Sequence, residues 1–84
     1  MMITKQLDEL IDLLLEINSK KEMEDFLLVI LTPKELQEIP MRLRIVKMLK
    51  AGIRQHLVAE KLGVGIATVS RGSRELQKGR FKAV

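Results

Sequence analysis

The chain has no cysteine, no tryptophan and no tyrosine, and only one histidine, two prolines and two phenylalanines in 84 residues. Without cysteine there is no disulfide framework and no thiolate metal site. The lone His56 cannot hold a metal without cysteines or clustered carboxylates beside it. Phe26 and Phe81 are the only rings that could stack on bases, and Phe26 lies in an apolar run, so single-stranded nucleic acid is disfavoured. No apolar run approaches the roughly 18 residues of a membrane span, and no secretory leader is visible. Paired carboxylates in an apolar setting are missing, as is a glycine-rich phosphate loop after a strand. These absences point away from an enzyme. They lead us to expect a soluble, cytoplasmic protein with no cofactor, no metal and no membrane partner.

What is present is charge, unevenly placed. Residues 1–40 carry four basic side chains against nine acids, a net of −5, while residues 41–84 carry eleven against two, a net of +9. An acidic half joined to a basic half suits a polyanion bound on one side only. The plainer reading is a solvated Lys/Arg-rich surface. At this length the chain is one small domain, 1–84, whose core is marginal alone, so oligomerisation is expected.

The hydrophobic pattern is helical throughout, so the expected fold class is all-α. Ile3, Leu7, Leu10, Ile11, Leu14 and Ile17 recur at three- and four-residue steps and predict a first helix. Ser19 and Glu22 have capping-box spacing and start a second. Its run from Phe26 to Leu31 is apolar nearly all round and calls for burial on several sides, hence for a second subunit. Thr32, Pro33 and Glu35 announce a third helix ending near Ala51, with Gly52 as its stop. Pro40 should kink or break that helix near Leu36–Ile39. Leu36, Ile39, Leu43, Val46 and Leu49 are its expected core face. Residues 1–51 then form the dimerisation helices, and 79–84 a loose tail.

Residues 55–77 read as a helix-turn-helix. Ala59 is small enough for a close crossing, and Gly63 is free to take a positive φ in the turn. Val58, Leu62, Val64 and Val69 fall where the two helices meet the body. Thr68, Ser70, Arg71 and Arg74 face outward, a surface that a DNA major groove accepts. Ile66, Ala67 and Thr68 form the entering turn, where Ala67 and the Thr68 methyl can meet thymine methyls. The backbone amides of Gly65–Ala67 can hold a phosphate at the helix N-terminus. Gln55 and His56 open the first helix of the motif and suit contacts to the DNA backbone; a plain surface role suits His56 equally well.

Leu31-Thr-Pro-Lys-Glu35, Arg42-Leu-Arg-Ile-Val46 and Leu62-Gly-Val-Gly-Ile-Ala-Thr-Val-Ser-Arg-Gly-Ser73 together resemble the tryptophan repressor superfamily, in order and approximate spacing, from about Val29 to Leu76. The resemblance implies an intertwined, all-helical homodimer carrying two helix-turn-helix heads, gated by L-tryptophan as co-repressor. Carried over, Leu31 and Thr32 would sit over the ligand and Val29 would line the pocket floor. Arg42 would face the ligand carboxylate or stack on its ring. Arg71 would lie on the other side of the ring and also reach DNA phosphate, and Gly72 would allow close approach. A planar guanidinium can do both tasks. Taken without the resemblance, Arg42 and Arg71 read more readily as phosphate contacts.

Three departures stand out. Glu75 replaces the small residue usual near the ligand amino group, the Gly52–Gln55 link is one residue short, and the family's last dimer-covering helix would begin where this sequence stops. The expected function is therefore a repressor binding a double-stranded operator, responsive to an amino acid such as L-tryptophan. The alternatives are a ligand-independent regulator of the same superfamily and a helical protein-interaction module built on residues 26–31.

Overall fold

A computed structural model describes residues 2–84. These residues form five helices and no strand: α1 (Met2–Glu16), α2 (Lys20–Ile30), α3 (Pro33–Lys50), α4 (Gln55–Leu62) and α5 (Ile66–Gln77). None of them is long and apolar enough to cross a membrane. The chain divides into two compact units, the first ending at Leu36 and the second spanning Gln37–Val84.

The N-terminal unit is held together by local chemistry more than by a core. Ser19 takes an extended conformation, and its hydroxyl accepts the Glu22 N–H, which starts α2. Thr32 and Glu35 form a complete reciprocal box: the Thr32 N–H donates to Glu35 Oε1 at 2.9 Å and the Glu35 N–H to Thr32 Oγ1 at 3.2 Å. No described side chain of this unit is buried. Leu15 is 78% exposed and Leu28 56%. The run Phe26–Leu31, expected to be buried on several sides, is at most half-buried within the single chain.

The core lies in the C-terminal unit. Ile45 and Met48 from α3, Val58 from α4 and Val69 from α5 form one buried cluster, ringed by Met41, Leu49, Ile53, Ala59, Leu62 and Val64. Val58 and Val69 are wholly enclosed, as the pattern of α4 and α5 led us to expect. The expected face of α3 needs correction. Val46 is buried, but Ile39 and Leu43 are 42% and 44% exposed, and the packing stripe is Met41, Ile45, Met48 and Leu49. α3 is apolar on two sides, so periodicity alone could not choose between them.

α3 also runs unbroken through Pro40. Proline supplies no N–H to the carbonyl four residues earlier, which belongs to Leu36. The boundary between the two units falls directly after that residue.

Three helices end by the same device. Gly52, Gly63 and Gly79 each have positive φ. After α4, the Gly63 N–H bonds the Glu60 carbonyl and the Val64 N–H bonds Ala59. Gly52–Leu49 and Ile53–Met48 repeat the pair after α3, and Gly79–Leu76 and Arg80–Glu75 repeat it after α5. This is the Schellman arrangement, which satisfies orphan carbonyls while reversing the chain. It turns α4 tightly into α5.

These helix ends can be tested by substitution. At Gly63 no atom lies within 4 Å of an added Cβ, so Gly63→Ala meets only backbone strain at φ 67°. It should cost about 1–2 kcal/mol in urea unfolding followed by circular dichroism, and Gly63→Asn should cost less. At Glu35, the Thr32 N–H and then its hydroxyl hold the carboxyl below its ordinary range, opposed weakly by desolvation. A carboxylate with a lowered folded pKa stabilises above its unfolded pKa and loses that contribution as pH falls through the folded value. Helix content in an acid titration should therefore contain a component that Glu35→Gln removes.

Candidate nucleic-acid and effector interface

α5 begins at Ile66, with Gly65 extended before it and no side-chain cap on its first turn. The Thr68 and Val69 amides bond the Gly65 carbonyl. The earlier amides of the turn have no intrahelical partner, which is the arrangement that receives an anion. Ile66, Ala67, Thr68, Arg71 and Arg74 are exposed, so α5 presents an uncapped N-terminus and two guanidiniums to solvent. His56 is exposed at the start of α4, whose first turn is likewise uncapped.

Gln55 and Ser70, both expected to contact a polyanion, are placed differently. The Ser70 hydroxyl donates to Gln55 Oε1 at 2.8 Å, and Gln55 Nε2 donates to the Ser73 hydroxyl at 3.1 Å. Both bonds are half-buried, and Ser73 is 9% exposed. Gln55 is a strut between the start of α4 and the middle of α5. A hydrophilic residue at a helix start reads equally well as a surface contact, and only the fold brings residues 55, 70 and 73 together.

One cavity of about 700 Å³ opens in the C-terminal unit. Arg42, Ile45 and Val46 of α3 line it, with Gly65 before α5 and Thr68, Arg71, Gly72 and Glu75 on α5. The fold thus collects four residues expected at a ligand site, Arg42, Arg71, Gly72 and Glu75, from two helices well separated in the sequence. Val29, Leu31 and Thr32 belong to the N-terminal unit; Val29 is 83% exposed on α2, and Thr32 is engaged in capping α3. Glu38 and Phe81 also line the cavity, and both were missed from sequence. Glu38 lies one helical turn from Arg42, a spacing that could have flagged it. Phe81 carried no signal, because residues 79–84 read as a loose tail.

The cavity wall carries charge of both signs. Arg42 Nη2 lies 3.9 Å from Glu38 and Lys78 Nζ lies 3.6 Å from Glu75, both loose solvent-facing pairs. Arg71 makes no ion pair among the described residues. Such a site can hold a small molecule with an anionic end, an apolar body and a cationic end. Gly72 has a further duty: a Cβ there would stand 3.3 Å from Ile45 Cγ2, so the glycine lets α5 lie against α3 as well as border the cavity.

If Gln55 is a strut, Gln55→Leu should lower the stability of the C-terminal unit by about 1–2 kcal/mol, as both serine hydroxyls lose their partner. A surface contact would leave the urea midpoint unmoved.

Comparison with known proteins identifies the family. Residues 5–83 match the Trp repressor protein family. Over 70 residues the chain is 36% identical to the Trp operon repressor homolog of Vibrio vulnificus, covering 82% of this chain and 69% of that protein. The Trp operon repressor homolog of Photobacterium profundum is 37% identical over 70 residues, covering 82% and 68%. The uncharacterized protein YerC of Bacillus subtilis is 32% identical over 75 residues, covering 89% and 72%. No solved structure matches the chain. The similarity spans the cavity, α4 and α5 together, and the chain belongs to the Trp repressor family, a family of DNA-binding regulators.

Proposed function

We propose that the protein is a dimeric transcriptional repressor whose DNA-reading helix, α5, is also a wall of an amino-acid effector site. The observation that carries this reading is the sharing of α5. Arg71, Gly72 and Glu75 line the cavity, while Ile66, Ala67 and Thr68 lead the exposed N-terminal turn of the same helix. A ligand in the cavity therefore touches the element that would enter the major groove. α4, the turn at Gly63 and α5 act as the helix-turn-helix. L-Tryptophan is the effector, its carboxylate toward Arg42 or Arg71 and its ammonium toward Glu75. The names of its relatives, which refer to the Trp operon, support that choice of ligand.

A second copy of the chain completes the fold. Ile3, Leu15 and Val29 are 75–83% exposed in the single chain, and Ile39 and Leu43 form an apolar side of α3 that its own core does not use. Large exposed apolar patches mark association surfaces. Two-fold pairing would bury both sets and present two copies of α5 to one duplex.

One observation favours a ligand-independent variant of this function. Glu75 lines the cavity and is already near Lys78, so it would crowd a ligand there. If Glu75→Ser raises L-tryptophan affinity sharply, Glu75 is an obstacle and this second reading gains.

Fluorescence anisotropy with a random duplex at two salt concentrations, with and without L-tryptophan, tests the proposal. Affinity should fall steeply as salt rises. Arg71→Ala should reduce the slope of log affinity against log salt by about one and also weaken L-tryptophan binding. Salt-independent or absent DNA binding would favour a protein-interaction module instead. Sedimentation should give twice the monomer mass.

A further inference from the structure

The last six residues carry a feature that the proposed function does not use. α5 ends at Gln77, and Gly79, at φ 77°, reverses the chain through the Arg80–Glu75 and Gly79–Leu76 hydrogen bonds. Two residues later the chain reaches the cavity, which Phe81 lines, half-buried. Lys50, in the last turn of α3, fixes it there. Its ammonium donates to the Phe81 carbonyl at 2.6 Å and to the Val84 backbone oxygen at 2.7 Å. Both bonds are charge-assisted and solvent-exposed. They span 31 and 34 positions and close the tail onto the helix that supplies Arg42, Ile45 and Val46.

We propose that Phe81 is a ligand-contacting specificity residue of this cavity, and that Lys50 positions it. The inference rests on the effector reading and goes beyond it by naming what recognises the apolar body of the ligand. The other lining residues named so far are charged, aliphatic or small. An arginine on one side supplies a cation to a flat ring, but nothing else offers an aromatic surface. Phe81 does, and ring–ring contact prefers offset or edge-to-face geometry over simple apolar filling. The site therefore favours amino acids with flat aromatic side chains over branched aliphatic ones of similar volume.

The chain itself makes the test clean. With no Trp and no Tyr in the sequence, the emission of bound L-tryptophan is seen without protein background. Titration of the full chain should give blue-shifted ligand emission and saturable binding. Phe81→Ala should weaken binding roughly three- to tenfold and reduce the blue shift, and Phe81→Tyr should restore both. Lys50→Met, which keeps the Phe81 side chain but removes its strap, should fall between. L-Leucine should compete poorly against wild type, and its relative disadvantage should shrink in Phe81→Ala. Wild-type binding with Phe81→Ala and Lys50→Met unchanged would overturn the proposal and leave the effector reading intact. No wild-type binding of L-tryptophan would overturn both. If Phe81→Ala lost its helical circular dichroism, Lys50→Met would decide alone, unchanged affinity again counting against the proposal.

Discussion

The packing of α4 against α5 through Val58 and Val69, extended onto α3 where Gly72 meets Ile45, is the contact on which the C-terminal unit depends. The absence of a side chain there lets the two helices lie with Ile45 Cγ2 only 3.3 Å from where a Cβ would be. Val69 of α5 joins Ile45, Met48 and Val58 in the buried cluster. Arg71 and Glu75 of α5 and Arg42 of α3 line the same cavity. Packing and site are thus one geometry. A side chain at position 72 would press on Ile45, a core residue only 2% exposed, which would have to give by a few tenths of an ångström.

Much of this was legible because local signals are short-range. The helix start at Thr32-Pro33-Glu35, the stop at Gly52 and the turn at Gly63 each depend on a few neighbouring residues, and each lies where the pattern put it. The limits of α5 also agree, because its polar outer face and Val69 repeat with helical period. What was not legible depends on partners far along the chain. Gln55 looked like a surface contact until the fold set it between Ser70 and Ser73. The tail looked loose because its fixing residue, Lys50, lies 31 positions before Phe81. On α3, Val46 and Leu49 lie in the core as expected, but Ile39 and Leu43 do not, because both sides of α3 are apolar and which one packs inside the chain is decided by α4 and α5, not by α3.

The two halves start their helices in ways that match their charges. In the acidic N-terminal half, α2 and α3 have side-chain caps from Ser19 and Thr32. In the basic half, α4 and α5 have none, although a cap at each would be worth about 1 kcal/mol. Arg54 and Gly65 occupy the cap positions instead. Two exposed helix N-termini amid a net charge of +9 over residues 41–84 leave N–H groups free for an external anion. Under the proposed function, DNA phosphate supplies the missing caps, so stability forgone in the free protein returns on binding.

The apolar residues left outside the core bear on why the effector and the duplex would be linked at all. A ligand can shift an equilibrium only by its unequal affinity for two states. The buried cluster of the C-terminal unit resists continuous deformation. The freedom has to lie where packing is thin, at the cavity and around the exposed end of α5. Ile66, which leads that end, is 51% exposed, and Thr68 and Arg71 stand between cavity and solvent. Under the proposed function, a ligand in the cavity would touch Thr68 and Arg71 and restrict this end of α5. The affinity for DNA would then rise by removing unproductive orientations, and by linkage DNA would raise the affinity for the ligand by the same factor.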